Sequence, residues 1–490
     1  MSIQTLVDIG FFQNYNVAKI KNFFKGEKML KSYFKKLNPA MIAIIWSLAW
    51  PTMLEQAMQT AVQYIDTAMV GSLGTHATAA VGSTSTVNWL LSSTIAAMSI
   101  GFLAYIAKAR GAGEDDKARR AVGQSVLAVL IMGSFFTVLS LSLSKMVPIW
   151  MQVDTAIQDI AAQYFFIVYI PMLPRTASII FGTVLRASGD TKTPMKIGLI
   201  MNIVNVVLNF LLIYETRVLK ILSLEITVPG FGLGVLGAGI ASAISFTVGG
   251  ILITAVLWSH PFLSPRGQKI APDAEILKPC LKVAFPNMLQ RFGTSLGFVA
   301  FASMINSLGE VSTAAHTIAN TVESAFYIPG FGMQTAAATL NGNAYGAKDK
   351  QRMHDLANMF IPIVIVLMTI SGTLLFTFAP ALMDIFSDSP EVIELGSTVL
   401  RMVAISEPFY GFWIIIEGLM QGVGRTKEPF VYTIIGMWGV RIVGTFICTQ
   451  ILDFGLISAW ACMISHNMLL FFLFLRCFIK KKWNPLEEKH

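Results

Sequence analysis

The strongest constraint on this chain is a row of long apolar segments separated by short polar breaks. They can be marked at 41–70, 77–107, 121–149, 158–185, 196–214, 234–259, 276–307, 313–344, 355–384, 395–422, 430–452 and 455–479. A helix needs about 20 apolar residues to cross the hydrocarbon core of a bilayer. In lipid every backbone N–H and C=O must be satisfied within the protein, so runs of this kind become helices. Composition agrees: 13% of the 490 residues are charged and 54% hydrophobic, about half the charged fraction of a soluble domain. The expectation is an all-α integral membrane protein with about twelve transmembrane helices.

Lys and Arg are spread unevenly over the connecting segments. With the N-terminus inside, the inner side holds the seven lysines of the first forty residues, then 108–120, 186–196, 266–282, 348–352, 425–427 and 480–482. The outer segments carry only Lys145, Arg217 and Lys220. This positive-inside bias predicts a multi-pass protein of the cell membrane with both termini in the cytoplasm. The net charge of +8 is therefore a topology signal, and no nucleic-acid partner is expected. Residues 17–37 alternate Lys with Ile, Phe, Met and Tyr at roughly helical spacing. That fits a basic amphipathic helix on the membrane surface; a disordered arm is the alternative, and Met29 offers a second start. The expected organisation is an arm at 1–40, a first lobe at 41–259, a linker at 260–275, a second lobe at 276–480 and a tail at 481–490.

An internal repeat is the most specific pattern. Adding 235 carries Pro51-Thr-Met-Leu onto Pro286-Asn-Met-Leu, Ser72-Leu-Gly onto Ser307-Leu-Gly, and Thr78-Ala-Ala onto Thr313-Ala-Ala. The same shift carries Ala109-Arg-Gly-Ala onto Ala344-Tyr-Gly-Ala, and Gly189-Asp-Thr-Lys-Thr-Pro onto Gly424-Arg-Thr-Lys-Glu-Pro. It passes six spans, an even number, so the two copies run in parallel, an arrangement of transporters with the pathway at the repeat interface. The register slips to 221 at Gly234-Val-Leu against Gly455-Leu-Ile, because the first copy has the longer outer loop at 216–232.

The copies differ in charge. Glu55 maps to Gln290 and Asp66 to Phe301, so the two acids of the first span are lobe-specific. An acid at mid-bilayer costs about 3 kcal/mol on insertion scales and should face protein or water. Glu55 and Asp66 are eleven residues apart, about 16 Å along one helix face. Counted from the outer ends of their spans, Asp66 lies about 7 Å deep, Asn209 about 9 Å and Ser242 about 12 Å, with Asn205 one turn from Asn209. A carboxylate, two carboxamides and a hydroxyl converging there would supply hard oxygen ligands for a small cation, or a protonatable cluster. The plain alternative is a set of interhelical hydrogen bonds. In the second copy Glu323, Glu407 and Glu417 stand against Arg291 and Arg441, and the first copy has Arg175. Buried ion pairing is the expectation for these, with proton carriage the sharper reading. Gln290 and Tyr410 join them as substrate-side candidates. Pro51, Pro171, Pro174, Pro286 and Pro408 mark expected bends; Pro51 removes a backbone hydrogen bond one turn before Glu55. The cysteines are scattered singly and the histidines show no ligand spacing. The chain has no Gly-Lys dipeptide, hence no Walker A loop. No cofactor, no use of ATP and no enzymatic activity are expected.

These blocks resemble the multidrug and toxic compound extrusion (MATE) family of the MOP flippase superfamily, in its NorM-like bacterial branch. The resemblance is carried by Pro51-x3-Glu55, Ile65-Asp-Thr-Ala-Met-Val-Gly-x-Leu-Gly, Leu185-Arg-Ala-Ser-Gly-Asp-Thr-Lys-Thr-Pro and Asn205-x3-Asn209. It continues through Gly237-Ala-Gly-Ile-Ala-Ser, Ala314-Ala-His and Pro329-Gly-Phe-Gly. It implies two six-helix lobes and export of cationic or amphipathic compounds in exchange for Na+ or H+ by alternating access, with small molecules and lipid as partners and a monomeric state. The family's first-lobe cation site falls on Asp66, Asn205, Asn209 and Ser242, with Asn209 where relatives carry Asp and Ser242 where they carry Thr. Asp66, Asn205 and Asn209 are the implied Na+ ligands, and with one fewer carboxylate the site should bind Na+ less strongly unless Glu55 compensates. The acid that some relatives carry in the seventh span is absent, Thr294 standing near that place. The alternatives are a lipid-linked precursor flippase, which wants a cationic cavity, and a non-transporting sensor or scaffold.

Overall fold

The computed structural model describes residues 39–151, 153–221 and 224–487; the expected amphipathic arm at 17–37 lies outside them. In chain order the helices of the first half are α1 (Pro39–Gly71), α2 (Thr75–Gly111), α3 (Asp115–Leu143), α4 (Met146–Trp150), α5 (Thr155–Tyr169), α6 (Met172–Ala187) and α7 (Lys192–Leu212). A hairpin, β1 (Glu215–Ile221) and β2 (Leu224–Phe231), precedes α8 (Gly234–Ser259). The second half holds α9 (Ala274–Asn306), α10 (Glu310–Phe326), α11 (Ile328–Gly346), α12 (Lys350–Asp384), α13 (Pro390–Ala404) and α14 (Glu407–Gly422). It closes with α15 (Lys427–Ile451) and α16 (Leu456–Ile479).

The 235-residue shift is written into the element boundaries. Adding it to 39–71 gives 274–306, to 155–169 gives 390–404 and to 172–187 gives 407–422, which are the bounds of α9, α13 and α14. Left-handed backbone positions repeat too. Gly74 (φ 109°) answers to Gly309 (φ 99°), and Gly189 (96°) to Gly424 (79°). Gly113 (72°) answers to Lys348 (57°). Gly232 (63°) and Asp453 (52°) correspond at the slipped register of 221. A turn that persists where glycine has become lysine is dictated by the surrounding packing and not by local freedom alone.

The outer loop at 216–232, read as a loop in the sequence, is a β-hairpin. Arg217 faces Val228 and Leu219 faces Ile226 across an antiparallel pair. β-Branched residues crowd this stretch (Thr216, Val218, Ile221, Ile226, Thr227, Val228), and they favour strands.

Among the described residues seven helices are long and apolar enough to cross a membrane, and nine spans result if each bent pair counts as one. The twelve apolar runs correspond to these and to α1, α9 and the α10–α11 pair. Those three are diluted by Glu55, Gln59, Gln63 and Asp66, by Lys282, Asn287, Gln290 and Arg291, and by His316, Glu323 and Gln334. Wide apolar faces stay exposed in the isolated protein, as at Ile131, Phe135 and Val138 of α3 and Ile370 and Phe378 of α12. In water such faces would drive association; in a bilayer they meet lipid.

The breaks fall only partly where proline predicts them. α5 and α6 meet at 50° next to Pro171, and α13 and α14 at 52° just before Pro408. Pro51 and Pro286 instead lie inside the unbroken helices α1 and α9. The reason is local compensation. Pro51 frees the Ser47 carbonyl one turn back, and the Thr191 hydroxyl donates to it at 3.4 Å. The related hydroxyl of Thr426 donates at 2.7 Å to the Val283 carbonyl, one residue on from the Lys282 carbonyl that Pro286 frees. α10 and α11, expected as one span at 313–344, break at Tyr327, two residues before Pro329.

Candidate functional site

α1, α7 and α8 bring the first-lobe candidates together. The Asn209 amide donates to Asp66 Oδ1 at 2.5 Å and to Asn205 Oδ1 at 3.2 Å, and the Asn205 amide donates to Ser242 Oγ at 3.4 Å. Asn205 and Asn209 are buried while Asp66 and Ser242 are half-buried. In this arrangement the Asn205 carbonyl oxygen faces both carboxylate oxygens, acceptor against acceptor. Turning the carboxamide over lets its nitrogen donate to Asp66 Oδ1 at 2.8 Å and Oδ2 at 3.1 Å. Asn209 Oδ1 is buried without a hydrogen-bond partner, which is costly unless a ligand or water reaches it. The four residues thus bring a carboxylate, two carboxamides and a hydroxyl within hydrogen-bond reach of one another. They form no cluster of three or more His, Cys, Asp or Glu, and none occurs among the described residues, so the donor set suits a weakly held hard cation and not a transition metal.

Glu55 is not part of this cluster. Arg186, from the far end of α6, donates to both its oxygens at 2.8 and 3.0 Å. The pair is largely buried, its side chains 17% and 10% exposed. The expectation that Glu55 makes up for the carboxylate missing at Asn209 is therefore not what the geometry favours: its charge is already answered. Sequence reading assigned Arg186 to topology alone, although it sits inside the Leu185-Arg-Ala block.

The second repeat rebuilds the same node from different parts. The 235 shift turns Glu55 into Gln290, Arg186 into Gln421 and Gly182 into Glu417. Gln290 and Gln421 both donate to Glu417 Oε1, at 2.8 and 3.2 Å, and Gln334 donates to Oε2 at 3.0 Å. Gln290 also reaches Thr433 Oγ1 at 3.2 Å. An acid and a base in one lobe become an acid held by amides in the other.

The expected buried ion pairs of the second lobe do not form: none of Glu323, Glu407 and Glu417 lies within ion-pair distance of an arginine among the described residues. Glu323 accepts from the Tyr327 hydroxyl. Glu407 is 1% exposed and neither carboxylate oxygen has a partner. The Tyr410 ring stacks on Tyr327 at 4.4 Å between centroids. The arginines find aromatic rings and hydroxyls instead. Arg175 donates to Ser92 Oγ at 2.6 Å and lies 4.4 Å over Phe246. Arg441 lies 4.0 Å over Phe301 and 5.0 Å over Phe298. Arg291, half-buried, is within electrostatic range of Glu417 and Tyr410. Each arginine is engaged inside its own repeat, and a shared cationic cavity, which a phosphate-carrying flippase would want, gains no support. Sequence reading gave no site role to His316, Trp460 and His466: His316 packs against Phe301 and Trp460, and both histidines lie in electrostatic range of Arg441; a buried arginine in an apolar span was the signal that polar neighbours had to exist.

Two parallel six-helix repeats with polar nodes inside the helix bundle define a multi-pass helical membrane protein. The chain belongs to the MatE family, whose model matches residues 51–211 and 286–447; the two matches start 286 − 51 = 235 residues apart. It is similar to the probable multidrug resistance protein NorM of Thermotoga maritima, 27% identical over 457 residues, covering 93% of this chain and 96% of that protein. It is also similar to the probable multidrug resistance protein YoeA of Bacillus subtilis, 23% identical over 458 residues, covering 91% and 96%. The fold matches the outward-facing conformation of a multidrug resistance MATE family transporter of the MOP superfamily, with a TM-score of 0.83 at 22% identity, covering 91% and 96% of the two chains.

Proposed function

We propose that this protein is a secondary active efflux antiporter for cationic or amphipathic small molecules, working by alternating access and driven by Na+ or H+ entering the Asp66 cluster. The observation that carries this reading is the convergence of Asp66, Asn205, Asn209 and Ser242 from three helices. Asn205 can serve both states of such a site. With no cation present its nitrogen donates to the carboxylate. With Na+ between them, or a proton on Asp66, its oxygen faces the same place without penalty. A site that changes the preferred arrangement of α1, α7 and α8 on filling can bias the lobe between two facings, by as much as its affinity differs between them. Family membership and the names of the relatives support efflux of small molecules; the basic distribution of the connecting segments supports a cell-membrane protein with both ends inside.

The test is Asp66→Asn in proteoliposomes, with dye efflux driven separately by a Na+ and a proton gradient. The expected result is loss of gradient-driven efflux in a variant that still folds. Full coupling in Asp66→Asn would overturn the assignment, and the gradient that drives the wild type identifies the ion.

A further inference from the structure

The 235 shift places Phe301 where the first repeat has Asp66, and α1 and α9 share that shift at both ends. What stands at this place in the second repeat is a cation. The Arg441 guanidinium lies 4.0 Å over the Phe301 ring and is 5% exposed. It sits in a π-helical turn, Ile435–Ile442, within α15; such wide turns often mark functional positions. Arg441 forms no ion pair among the described residues, and its Nε is buried without a hydrogen-bond partner.

Polar nitrogens on neighbouring rings are unpartnered as well. His316 packs edge-on against Phe301 at 5.5 Å and against Trp460 at 5.9 Å. His316 Nδ1, Trp460 Nε1 and both ring nitrogens of His466 are buried and unpartnered. Both histidines lie within range of the Arg441 charge. The nearest acid in electrostatic range is Glu323, which is beyond ion-pair distance and is engaged by Tyr327. It offsets part of the charge and satisfies none of these N–H groups. Aromatic faces stabilise a guanidinium but accept no strong hydrogen bond. A buried charge with an idle Nε–H, near an idle indole N–H and an imidazole that carries one N–H of its own, wants an acceptor.

We infer that Arg441, His316, Trp460 and His466 form a site for a small monovalent anion, so that the second lobe carries the polarity-inverted counterpart of the first lobe's cluster. A halide fits the chemistry: it accepts from several N–H donors at once and needs no shaped partner. The inference does not depend on the coupling role of Asp66.

The test uses full-length protein in nanodiscs of zwitterionic lipid, at fixed pH and fixed Na+, with gluconate replaced stepwise by chloride. Melting temperature and radioactive chloride binding are read together. The wild type should show saturable binding of about one chloride per chain, with a matching rise in melting temperature. Arg441→Met should weaken binding about tenfold or more, as expected for loss of a charge-assisted partner. His466→Asn should weaken it less, and provides the comparison if Arg441→Met does not fold. Asp66→Asn should bind chloride like the wild type, which separates this site from the proposed coupling site. Equal melting in chloride and gluconate with no bound chloride would mean that water alone fills the site, and would overturn the inference. So would unchanged chloride affinity in both Arg441→Met and His466→Asn.

Discussion

At the scale of single residues, the two acids of α1 have different tasks. Asp66 is hydrogen-bonded by a neutral amide, whereas Glu55 is neutralised in place by Arg186. Removing one member of such a pair leaves an unanswered charge in a poorly hydrated spot. Arg186→Gln should therefore cost about 2–3 kcal/mol in stability, and Glu55→Gln somewhat less, because a neutral amide tolerates the site. The double variant should be more stable than the sum of the single effects predicts, since the two residues act as a unit. Thermal melting of the four proteins measures this; additive effects would show that the pair is not coupled. The Asp66 cluster was legible in the sequence because helix geometry converts residue spacing into depth. The partner of Glu55 was not, because 131 residues separate it from Arg186 and no local rule links positions so far apart.

At the scale of elements, the repeats meet through close helix approaches, two of which lie on opposite sides of the bundle. On the side that carries the basic loops, α2 and α11 touch backbone to backbone. A Cβ on Gly346 would run into the Lys108 carbonyl, and one on Gly111 into the Asn343 carbonyl. Small residues at helix crossings allow such contact in membranes. Gly346→Ala should push the two helices apart and cost about 1–3 kcal/mol of stability by overpacking, read as a lower melting temperature; an unchanged melting temperature would contradict the contact. On the other side the crossing is lighter: the Tyr64 hydroxyl donates to the Thr321 carbonyl at 2.9 Å. Helix existence and order followed from hydropathy alone. Helix continuity did not, because whether proline breaks a helix depends on who satisfies the freed carbonyl. Thr191 does so for Pro51, and it comes from a loop far along the chain.

At the scale of the whole molecule, the repeat extends to how each sixth helix leaves its bundle. After α8 the chain is fastened to the start of α3: Arg119 donates to the Phe262 carbonyl at 3.0 Å, and Arg120 pairs with Asp273 at 2.6 Å. After α16 the chain is fastened to the start of α12. Trp483 is buried against the His354 ring at 5.2 Å, and His354 is Arg119 shifted by 235. Glu487 then pairs with Lys481 at 2.6 Å, His354 at 2.7 Å and Lys350 at 3.0 Å. Hydrogen bonds from these groups, Lys481 foremost, hold the Glu487 carboxyl down at about 2 against an ordinary value of 4.5. A depressed carboxylate stabilises the fold above its unfolded value and stops doing so as pH falls through the folded one. The stability difference between wild type and Glu487→Gln should thus be constant above about pH 5 and shrink between about pH 4.5 and 2, as followed by melting across that range. A difference independent of pH would show that the tail is held by Trp483 alone.

The sequence by itself determined the membrane class, the helix order, the parallel repeat and the four residues of the first-lobe cluster. Each of these is a matter of local hydropathy, of spacing along one helix or of a constant offset, and such quantities survive without knowledge of neighbours. Tertiary structure alone decided which charges are answered and which are left open. Glu55 met Arg186, Glu417 met three glutamines, and Arg441 met aromatic rings and, among the described residues, no ion-pair partner. A buried charge takes its character from whatever helices pack around it, and that is fixed only when distant segments are brought within a hydrogen bond of one another.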